Sequence, residues 1–443
     1  MKLSIIIIST VVIIAIVITI VLLAKSKKYT PGLEKVGKFC NDDNVDNHCK
    51  KGLSCDSISE KLIVAAGSGK NTLVYSDDDG KTWNEPKTDV FTKSGQGTAV
   101  ASGKLRTEFV VVGKNSEGNG VIAYSTDGKK WTTLPDTLFG KGTCKDVAYL
   151  ETVDRFVAIG NGAAHPILYS NRNSDKSLSS NWGGWNPDQI FDLDNLTAIA
   201  ASDKVFMLCG QNKVDGKTGS LLSNVLVSAD GVHWGSISDT TLKPTYGLAY
   251  GAGKFVAVGQ PATSKDTEIC GAGQKATSDP KPCSSNSTGV MWYNGPGPYG
   301  DPKKGGGYPI GTGKNYWQKV NGVDSGVGYG ITYGKDKFVM VGKWGTGTNT
   351  KTIYYSTDGI TWNASNDQNI LSTGRGVSWV GDKFIAFGDA SSDGSSMAYS
   401  PDGINWTAQS NTPFSVGYGG GSNYQTTHMC LINRKINITP ALN

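Results

Sequence analysis

Carboxylate and imidazole side chains are the groups through which this chain could perform hydrolytic chemistry. A glycoside hydrolase needs two carboxylates facing one cleft, and a zinc site needs closely spaced His, Cys or carboxylate ligands. Four aspartates fall in or near loops that precede short strands of small residues: Asp146, Asp192, Asp194 and Asp324. The four histidines are dispersed along the chain: His48, His165, His233 and His428. Spacing alone brings no two of these groups together, so we interpret the aspartates as solvated loop residues and predict no catalytic residue, metal site or cofactor.

Tyrosines in the same kind of loop are candidates for binding a ligand: Tyr246, Tyr329, Tyr418 and Tyr424. Arg375 stands at the entrance of one small-residue strand, and His428 falls on the last such strand, where it can line a channel. Aromatic rings with polar neighbours are common at protein and sugar recognition sites. The alternative for each of these residues is ordinary packing inside the fold.

The amino-acid composition indicates which secondary-structure elements position these residues. The chain has 443 residues, of which 58 are glycine, 9% are aromatic and 18% are charged. A disordered chain has few aromatics and a high net charge, whereas this composition favours many short strands joined by tight turns. The net charge is +5 and the chain has no basic run beyond residues 25–28, so nucleic-acid binding is not indicated.

A short segment of the form S-x-D-G-x-x-W recurs along the chain. Four copies read IAYSTDGKKW (122–131), VLVSADGVHW (225–234), IYYSTDGITW (353–362) and MAYSPDGINW (397–406), and a fifth, LVYSDDDGKTW (73–83), has one extra residue. Two degraded copies begin ILYS (167–170) and MWYN (291–294). The tryptophans of the seven copies lie 44–54 residues apart, except for one interval of 83 residues that contains an insertion. This period, with short strand-like segments, is typical of propeller blades.

Each repeat divides into four short strands. In the sixth repeat they are predicted at 328–333, 337–342, 352–356 and 361–364, with the repeat tryptophan opening the fourth. The second strand recurs as FVVVG (109–113), FVAIG (156–160), FVAVG (255–259) and FIAFG (384–388). Such apolar runs suit strands that are buried on both faces between neighbouring blades. The first strands are rich in small residues, which fits a crowded inner edge around a central axis.

The strand count predicts how the ring closes. The first repeat starts at its second strand, 62–67, and a spare strand-like segment, 426–432, remains after the last repeat. We expect this segment to complete the first blade, since closure removes an exposed edge; the alternative is an open array of repeats. The sequence therefore predicts an all-β, seven-bladed β-propeller over residues 62–435.

The repeated motif resembles the Asp-box (BNR) repeats of sialidases and related propellers, whose usual form is S-x-D-x-G-x-x-W. The resemblance covers roughly residues 60–435 and implies that the boxes are structural, one in each blade. A short carboxylate before a turn glycine can accept turn amides, and the tryptophan can cover the side of a blade. The residues with this structural role are Asp78, Asp127, Asp230, Asp358, Asp402, Trp83, Trp131, Trp234, Trp362 and Trp406.

The same resemblance argues against sialidase activity. A sialidase of this fold needs three arginines converging on a carboxylate, a Tyr with a Glu partner and an Asp acid. The Arg-Ile-Pro signature is absent, and the chain has five arginines in all: Arg106, Arg155, Arg172, Arg375 and Arg434. Arg106 and Arg155 are predicted on the face opposite the usual cleft, so Arg375 is the one candidate for clamping a carboxylate.

The N-terminus predicts a membrane anchor. Residues 4–24 carry no charge and are mostly Ile, Val and Leu; as a helix they would span about 31 Å, close to the thickness of a bilayer core. A cleaved signal peptide and a buried core helix are the alternatives. The basic flank within 1–28 favours a cytoplasmic propeller, while the cysteines favour an oxidising, extracytoplasmic or virion-surface compartment, which is our preferred orientation.

The cysteines favour disulfide stapling near the anchor and in one loop. Cys40, Cys49 and Cys55 crowd into a predicted stalk, 29–61, and Cys270 and Cys283 bracket an insertion and are expected to pair. Because three stalk cysteines are an odd number, one is free to pair with a propeller cysteine such as Cys430. The fifth repeat also holds two long insertions, 260–289 and 294–315, and residues 436–443 form a predicted tail. Long loops in compact domains are usually functional or disordered.

Three functions remain open on the sequence. The first is a membrane-anchored recognition propeller that binds a glycan or protein through the entrance face and the fifth-repeat loops. The second is a glycoside hydrolase or lyase with a carboxylate pair unlike that of sialidases. The third is a structural scaffold of a membrane or virion envelope. The expected partners are the lipid bilayer, through residues 4–24, and a glycan or protein ligand.

Overall fold

The structure is a computed structural model. It describes residues 59–69, 71–92, 94–103, 108–162, 164–185, 193–212, 225–237, 245–260, 290–293, 317–367, 370–390, 395–409 and 428–435. One compact unit, Lys61–Arg434, contains nearly all of them. Outside the described residues lie the predicted anchor and tail, residues 29–58 of the predicted stalk, residues 261–289 and 294–315 of the two long insertions, Tyr418, Tyr424, and the disulfide candidates Cys40, Cys49, Cys55, Cys270 and Cys283. Residues 59–61, which were predicted in the stalk, instead belong to the first strand, Ser59–Ala66. Domain boundaries therefore stay predictions.

The described elements are short strands with three single-turn 3-10 helices. The first strands are β1 (Ser59–Ala66), β2 (Leu73–Ser76), β3 (Gln96–Gly103), β4 (Glu108–Lys114), β5 (Gly120–Ser125), β6 (Thr132–Thr133), β7 (Cys144–Leu150), β8 (Arg155–Gly160), β9 (Ile167–Tyr169), β10 (Gly183–Trp185), β11 (Leu193–Ala201), β12 (Phe206–Asn212), β13 (Val225–Ser228) and β14 (Gly235–Ile237). The others are β15 (Thr245–Gly251), β16 (Lys254–Gly259), β17 (Val290–Tyr293), β18 (Trp317–Lys319), β19 (Gly326–Gly334), β20 (Lys337–Trp344), β21 (Lys351–Ser356), β22 (Asn363–Ala364), β23 (Leu371–Trp379), β24 (Phe384–Ala390), β25 (Met397–Ser400), β26 (Thr407–Gln409) and β27 (His428–Lys435). The 3-10 helices are Asp136–Leu138, Glu151–Val153 and Gly347–Asn349.

In the described residues these strands form seven antiparallel sheets. Sheet 1 has the order β2-β1-β27, and sheets 2 to 7 each contain four consecutive strands, from β3–β6 to β23–β26. The first strands of sheets 2 to 7 contact each other in succession, which places them at the centre. The C-terminal strand β27 lies beside β1, in the position predicted for the closing strand, although it begins at His428 rather than at residue 426.

Apolar side chains lie between the sheets, as expected for second strands that are buried on both faces. Each of seven buried clusters joins two neighbouring sheets, and one of them packs Ile63 and Val74 of sheet 1 against Ile385 and Met397 of sheet 7. In the second strand of sheet 6, the four residues 338–341 are all fully buried. This arrangement confirms the prediction of an all-β propeller.

Strand bounds differ from the predictions in a regular way. In sheet 6 the first strand is Gly326–Gly334 and the second is Lys337–Trp344, each longer than predicted. The fourth strand is only Asn363–Ala364, so Trp362 precedes the strand that it was predicted to open. The outermost strand is the shortest of the four, whereas the first strand is the longest, although among the described strands it pairs only with the second.

Candidate functional site

A β-bulge interrupts the first strand of sheets 2 to 7 at the same place. At this place in each sheet one residue of the first strand has no Cα partner, and the residue before it pairs with the glycine near the end of the second strand. The first strands of sheets 4 and 7 have a second such residue nearer their start, Asp194 and Ser372. The six extra residues, which we call the mouth ring, are Thr98, Lys145, Thr197, Tyr246, Tyr329 and Arg375. The paired glycines are Gly113, Gly160, Gly210, Gly259, Gly342 and Gly388. A bulge of this kind aims one side chain away from the ladder.

The bulge explains the glycine that ends each second strand. A Cβ on Gly160 would lie 2.1 Å from the carbonyl oxygen of Thr143, and one on Gly388 would lie 2.0 Å from that of Thr373. Both oxygens belong to the residue just before the glycine's pairing partner, where the bulged strand folds over its neighbour. The repeated F-x-x-x-G pattern thus reflects a backbone requirement at the inner edge of each sheet.

Three members of the mouth ring contact each other across sheets 5, 6 and 7. The rings of Tyr246 and Tyr329 stack with centroids 5.9 Å apart and an interplanar angle of 20°. The Cζ atom of Arg375, in sheet 7, lies 4.8 Å from the centroid of the Tyr329 ring. All three side chains are half-buried. The structure therefore brings these three predicted binding residues together, but in the first strands rather than in loops, which corrects the predicted placement of both tyrosines.

Arg375 is held in place by a carboxylate of its own sheet. Its Nε and Nη2 atoms donate to Oδ1 and Oδ2 of Asp389 at 3.1 and 2.7 Å. Burial alone would lower the pKa of Arg375, but Asp389 and Tyr329 raise it above its usual value. This guanidinium is therefore paired with Asp389 and at the same time packs against the Tyr329 ring.

Lys145 occupies the same ring position in sheet 3. It is half-buried, and among the described residues no carboxylate lies within ion-pairing distance of it. Burial lowers the pKa of Lys145, and the nearby ammonium of Lys114 lowers it further. Lys145 was not predicted from the sequence; the available signal was its position directly after Cys144, the residue that pairs with Gly160 of the FVAIG segment.

A cavity of about 170 Å³ lies behind the mouth ring, lined by the first strands of sheets 3 to 7. Asp146, next to Lys145, lines it but is buried. Its Oδ1 accepts the amide of Val147 at 2.8 Å and its Oδ2 accepts the amide of Ile199 at 2.9 Å, which ties sheet 3 to sheet 4. The interpretation of Asp146 as a solvated loop residue is therefore wrong.

Glycines let the first strands approach each other around this cavity. A Cβ on Gly330 would lie 2.9 Å from the Cα of Gly376, and one on Gly247 would lie 3.4 Å from the Cα of Gly330. The three glycines each follow a member of the mouth ring, so sheets 5, 6 and 7 carry their ring side chains on closely spaced backbones. That spacing puts Tyr246, Tyr329 and Arg375 within stacking distance.

The predicted Asp-box residues lie at the opposite end of the sheets. In sheet 6, Ser356 Oγ accepts the amide of Gly359 at 2.8 Å, and Asp358 Oδ1 accepts the amides of Ile360 and Thr361, both at 2.8 Å. The same contacts recur around Asp78, Asp127, Asp230 and Asp402. We call these five segments the Ser-Asp-Gly turns. Each lies in a different sheet, so the five carboxylates do not share a site.

The tryptophans of these turns are buried or half-buried beside them. The indole Nε1 of Trp131, Trp362 and Trp406 donates to the carbonyl of the turn glycine at 3.1, 3.2 and 3.3 Å. Trp83 and Trp234 are placed similarly between sheets, but their Nε1 atoms have no hydrogen-bond partner among the described residues.

The remaining predicted groups add little to the site. His428 lies in β27 of sheet 1. In the described ranges, no group of three or more His, Cys, Asp or Glu residues could hold a metal ion. Cys144 and Cys209 are buried free thiols, and burial raises the pKa of both, as expected of inert structural cysteines. No helix in the described part of the chain is long and apolar enough to cross a membrane.

Comparison with known proteins found solved structures that are similar to this chain at low sequence identity. No family model and no curated protein matches this chain. Among solved structures, one chain of a nidogen/laminin complex is similar at 10% identity, over 83% of this chain and 98% of that chain, with a TM-score of 0.38. The Pan2 WD40 domain of Neurospora crassa is similar at 10% identity, over 74% of this chain and 83% of that chain, with a TM-score of 0.40. These scores are too low to carry an argument about function. From its own sheets, the chain is an all-β propeller with a polar and aromatic mouth at its centre.

Proposed function

We propose that this protein is a recognition propeller that binds a protein partner at the mouth ring. The observation that carries the proposal is the continuous row of Tyr246, Tyr329 and Arg375 across three sheets. Tyrosine and arginine are the residue types that supply much of the binding energy of protein interfaces. Here they stand together, half-buried, on the edge of a cavity.

The row is prepared for binding before any ligand arrives. Tyr329 contacts both Tyr246 and Arg375, and Arg375 is fixed by two hydrogen bonds to Asp389. A side chain that is already ordered loses little conformational freedom when a partner docks, so more of its contact energy contributes to affinity. An aromatic platform of this kind can also hold the face of a sugar ring, which makes a glycan the second ligand class.

A glycosidase or lyase is less well supported, because three described carboxylates at this end of the sheets are engaged. Asp146 accepts two backbone amides, and Asp389 holds Arg375. Asp324 is exposed and accepts the hydroxyl of Tyr354 at 3.0 Å. A catalytic pair needs one protonated and one ionised carboxyl facing the same bond, and these three groups have other partners.

We further propose the finer architecture that the sequence predicts. The described sheets would be the seven blades of an Asp-box propeller, supported by the five Ser-Asp-Gly turns and by the clusters that join consecutive sheets. Residues 4–24 would anchor the chain in a membrane, with the propeller on the extracytoplasmic or virion-surface side. A scaffold role in an envelope would use the same anchoring.

The test is a binding screen with the full-length chain in detergent, against arrays of protein ectodomains and of glycans, with a panel of glycoside substrates. We expect a protein ligand whose affinity falls about tenfold or more in Tyr329→Ala and Tyr246→Ala, as for interface hot spots. Tyr399→Ala is the matched control, since Tyr399 is exposed on the third strand of sheet 7. A glycan that behaves this way would change the ligand class, and glycoside turnover would replace recognition by catalysis. Protein ligands that tolerate both tyrosine variants would contradict the proposed site.

A further inference from the structure

Two lysines lie where sheets 2 and 3 adjoin at the mouth. Lys114 ends β4 and directly follows Gly113, and Lys145 is the mouth-ring residue of β7. Thr98 Oγ1 donates to the carbonyl of Cys144 at 2.6 Å, which fixes sheet 2 against the residue before Lys145. Both lysines are half-buried, and neither has a carboxylate partner among the described residues.

The fold does not require a lysine at this position. In sheets 2 and 4 the equivalent residue is a threonine. The Thr197 hydroxyl donates to the carbonyl of Cys209 in its own second strand at 3.3 Å, and the Thr98 hydroxyl, whose one proton goes to Cys144, lies 3.1 Å from the carbonyl of Val112. Lys145 gives up that bond and brings a cation into a partly buried place beside a second cation.

The two partly buried ammonium groups lack a counterion among the described residues. Burial and the neighbouring Lys114 both disfavour the charged form of Lys145 and lower its pKa. An anion placed between the two ammonium groups would reverse both effects, because an opposite charge within a few ångströms favours the charged form. Asp146 does not serve as that anion, since its two oxygens face the amides of Val147 and Ile199.

We infer that Lys114 and Lys145 form an anion subsite of the mouth, which takes an acidic side chain of the protein partner. The inference rests on the proposed recognition function and adds the chemistry of the ligand. The subsite lies two sheets away from Tyr246 along the ring, with Thr197 of sheet 4 between them. A partner would therefore present a carboxylate to sheets 2 and 3 and an apolar or aromatic group to sheets 5 and 6. The net charge of +5 also draws an acidic partner toward the chain.

The test uses the full-length chain in detergent and a dye-labelled hexaglutamate peptide at about 0.15 M ionic strength, where exposed charges more than about 8 Å apart are largely screened. We expect Lys145→Gln to weaken binding about tenfold, as for a partly desolvated charge-assisted hydrogen bond, and Lys114→Gln about threefold. Lys204→Gln is the matched control, because Lys204 lies exposed in the turn after β11, at the other end of sheet 4; it should change the affinity less than about twofold.

Each other outcome overturns the subsite. If hexaglutamine binds with the same affinity as hexaglutamate, the peptide's charge does not contribute to binding. If Lys145→Gln and Lys204→Gln lower the affinity equally, binding depends only on the net charge of the protein. Binding of a sulfated hexasaccharide but not of hexaglutamate would assign the anion to a glycan instead. Because the peptide titration depends on the lysines and the ectodomain screen depends on the tyrosines, failure of one proposal is distinguishable from failure of the other.

Discussion

The two ends of each sheet obey different constraints. At the turn end, five sheets carry nearly the same side chains, because Ser and Asp oxygens satisfy amides that the hairpin leaves unpaired. At the mouth end, six sheets carry the same bulge and the same glycine, yet the extra residue is Thr, Lys, Tyr or Arg. At the turn end the fold thus uses the same side chains in five sheets, whereas at the mouth end the feature common to six sheets is the backbone bulge with its glycine, and the side chains that join sheets there, Thr98 and Asp146, differ from sheet to sheet. Side chains that the fold does not use are the ones available for recognition.

The largest effect is expected from adding a Cβ to one of the glycines at the mouth end, which tests whether the backbone there tolerates a side chain. Gly160→Ala would place a Cβ 2.1 Å from the carbonyl oxygen of Thr143 and 2.8 Å from the ring of Phe139. Since a backbone atom cannot move aside cheaply, we expect the free energy of unfolding to fall by about 3 kcal/mol, the upper range for overpacking. Chemical denaturation followed by tryptophan fluorescence measures this change.

A glycine with open space supplies the control. Gly253 has a φ of +73°, and no heavy atom lies within 4 Å of the point where its Cβ would stand. Gly253→Ala therefore carries only the cost of its backbone conformation, about 1 kcal/mol. Equal losses for the two variants would mean that the bulge does not set the glycine requirement.

Much of the fold could be predicted from the sequence, because the same pattern of strands and turns recurs in several repeats. The period of the tryptophans, the buried F-x-x-x-G second strands and the missing first strand of the first repeat together indicate a propeller with a C-terminal closing strand. Each of these signals depends on local chemistry, such as a turn glycine or an apolar run. Strand ends were less predictable: in sheet 6 the first two strands extend beyond their predicted bounds, to Gly326 and Trp344, and the fourth has only two residues.

The candidate site was harder to predict from the sequence than the fold. Tyr246, Tyr329 and Arg375 could be selected by residue type, but their mutual stacking depends on the bulges and on the close approach of sheets 5 to 7. Lys145 was missed because a single lysine belongs to no recognisable motif. It becomes a candidate only through its proximity to Lys114, which lies in another sheet. The burial of Asp146 was missed because one of its partner amides is 53 residues away in sequence.

The turn end can be tested through pH, with a smaller expected effect. Although burial alone would raise it, the amides of Asn405 and Ile404, with the side chains of Asn405 and Ser400, lower the pKa of Asp402 from 3.8 to about 2. A carboxyl whose pKa is lower in the folded state stabilises the fold at pH values above about 4 and loses this effect as the pH falls toward 2. Because Asp402 is largely open to solvent, we expect Asp402→Asn to cost at most about 1 kcal/mol at pH 7.

Urea unfolding of both proteins from pH 7 to pH 2 measures this contribution. The gap between wild type and Asp402→Asn should close below pH 4, since the wild-type carboxyl is then increasingly neutral as well. A gap that stays constant down to pH 2 would show that the side chain acts through its shape and not through its charge, so the turns would owe nothing to electrostatics.

The smallest effect is expected from a change that tests how two cations at equivalent mouth-ring positions differ. Arg375 of sheet 7 is neutralised by Asp389, whereas Lys145 of sheet 3 has no such partner among the described residues. Asp389→Asn removes the neutralising charge and keeps an acceptor for Arg375. The free energy of unfolding should change by less than about 1 kcal/mol, because an ion pair that is about one-third exposed contributes little. The affinity for hexaglutamate should rise by about threefold, since sheet 7 then presents a second cation without a bound carboxylate.

A matched control separates this local effect from net charge. Asp336→Asn makes the same change in the turn between β19 and β20, at the far end of sheet 6, where asparagine tolerates the positive φ of 56°. If Asp336→Asn tightens hexaglutamate binding as much as Asp389→Asn does, the peptide responds to the whole molecule, and the mouth has no special electrostatic role. If only Asp389→Asn tightens it, the difference between Lys145 and Arg375 is a difference in pairing: wild-type sheet 3 recognises an anion, and wild-type sheet 7 orients a tyrosine.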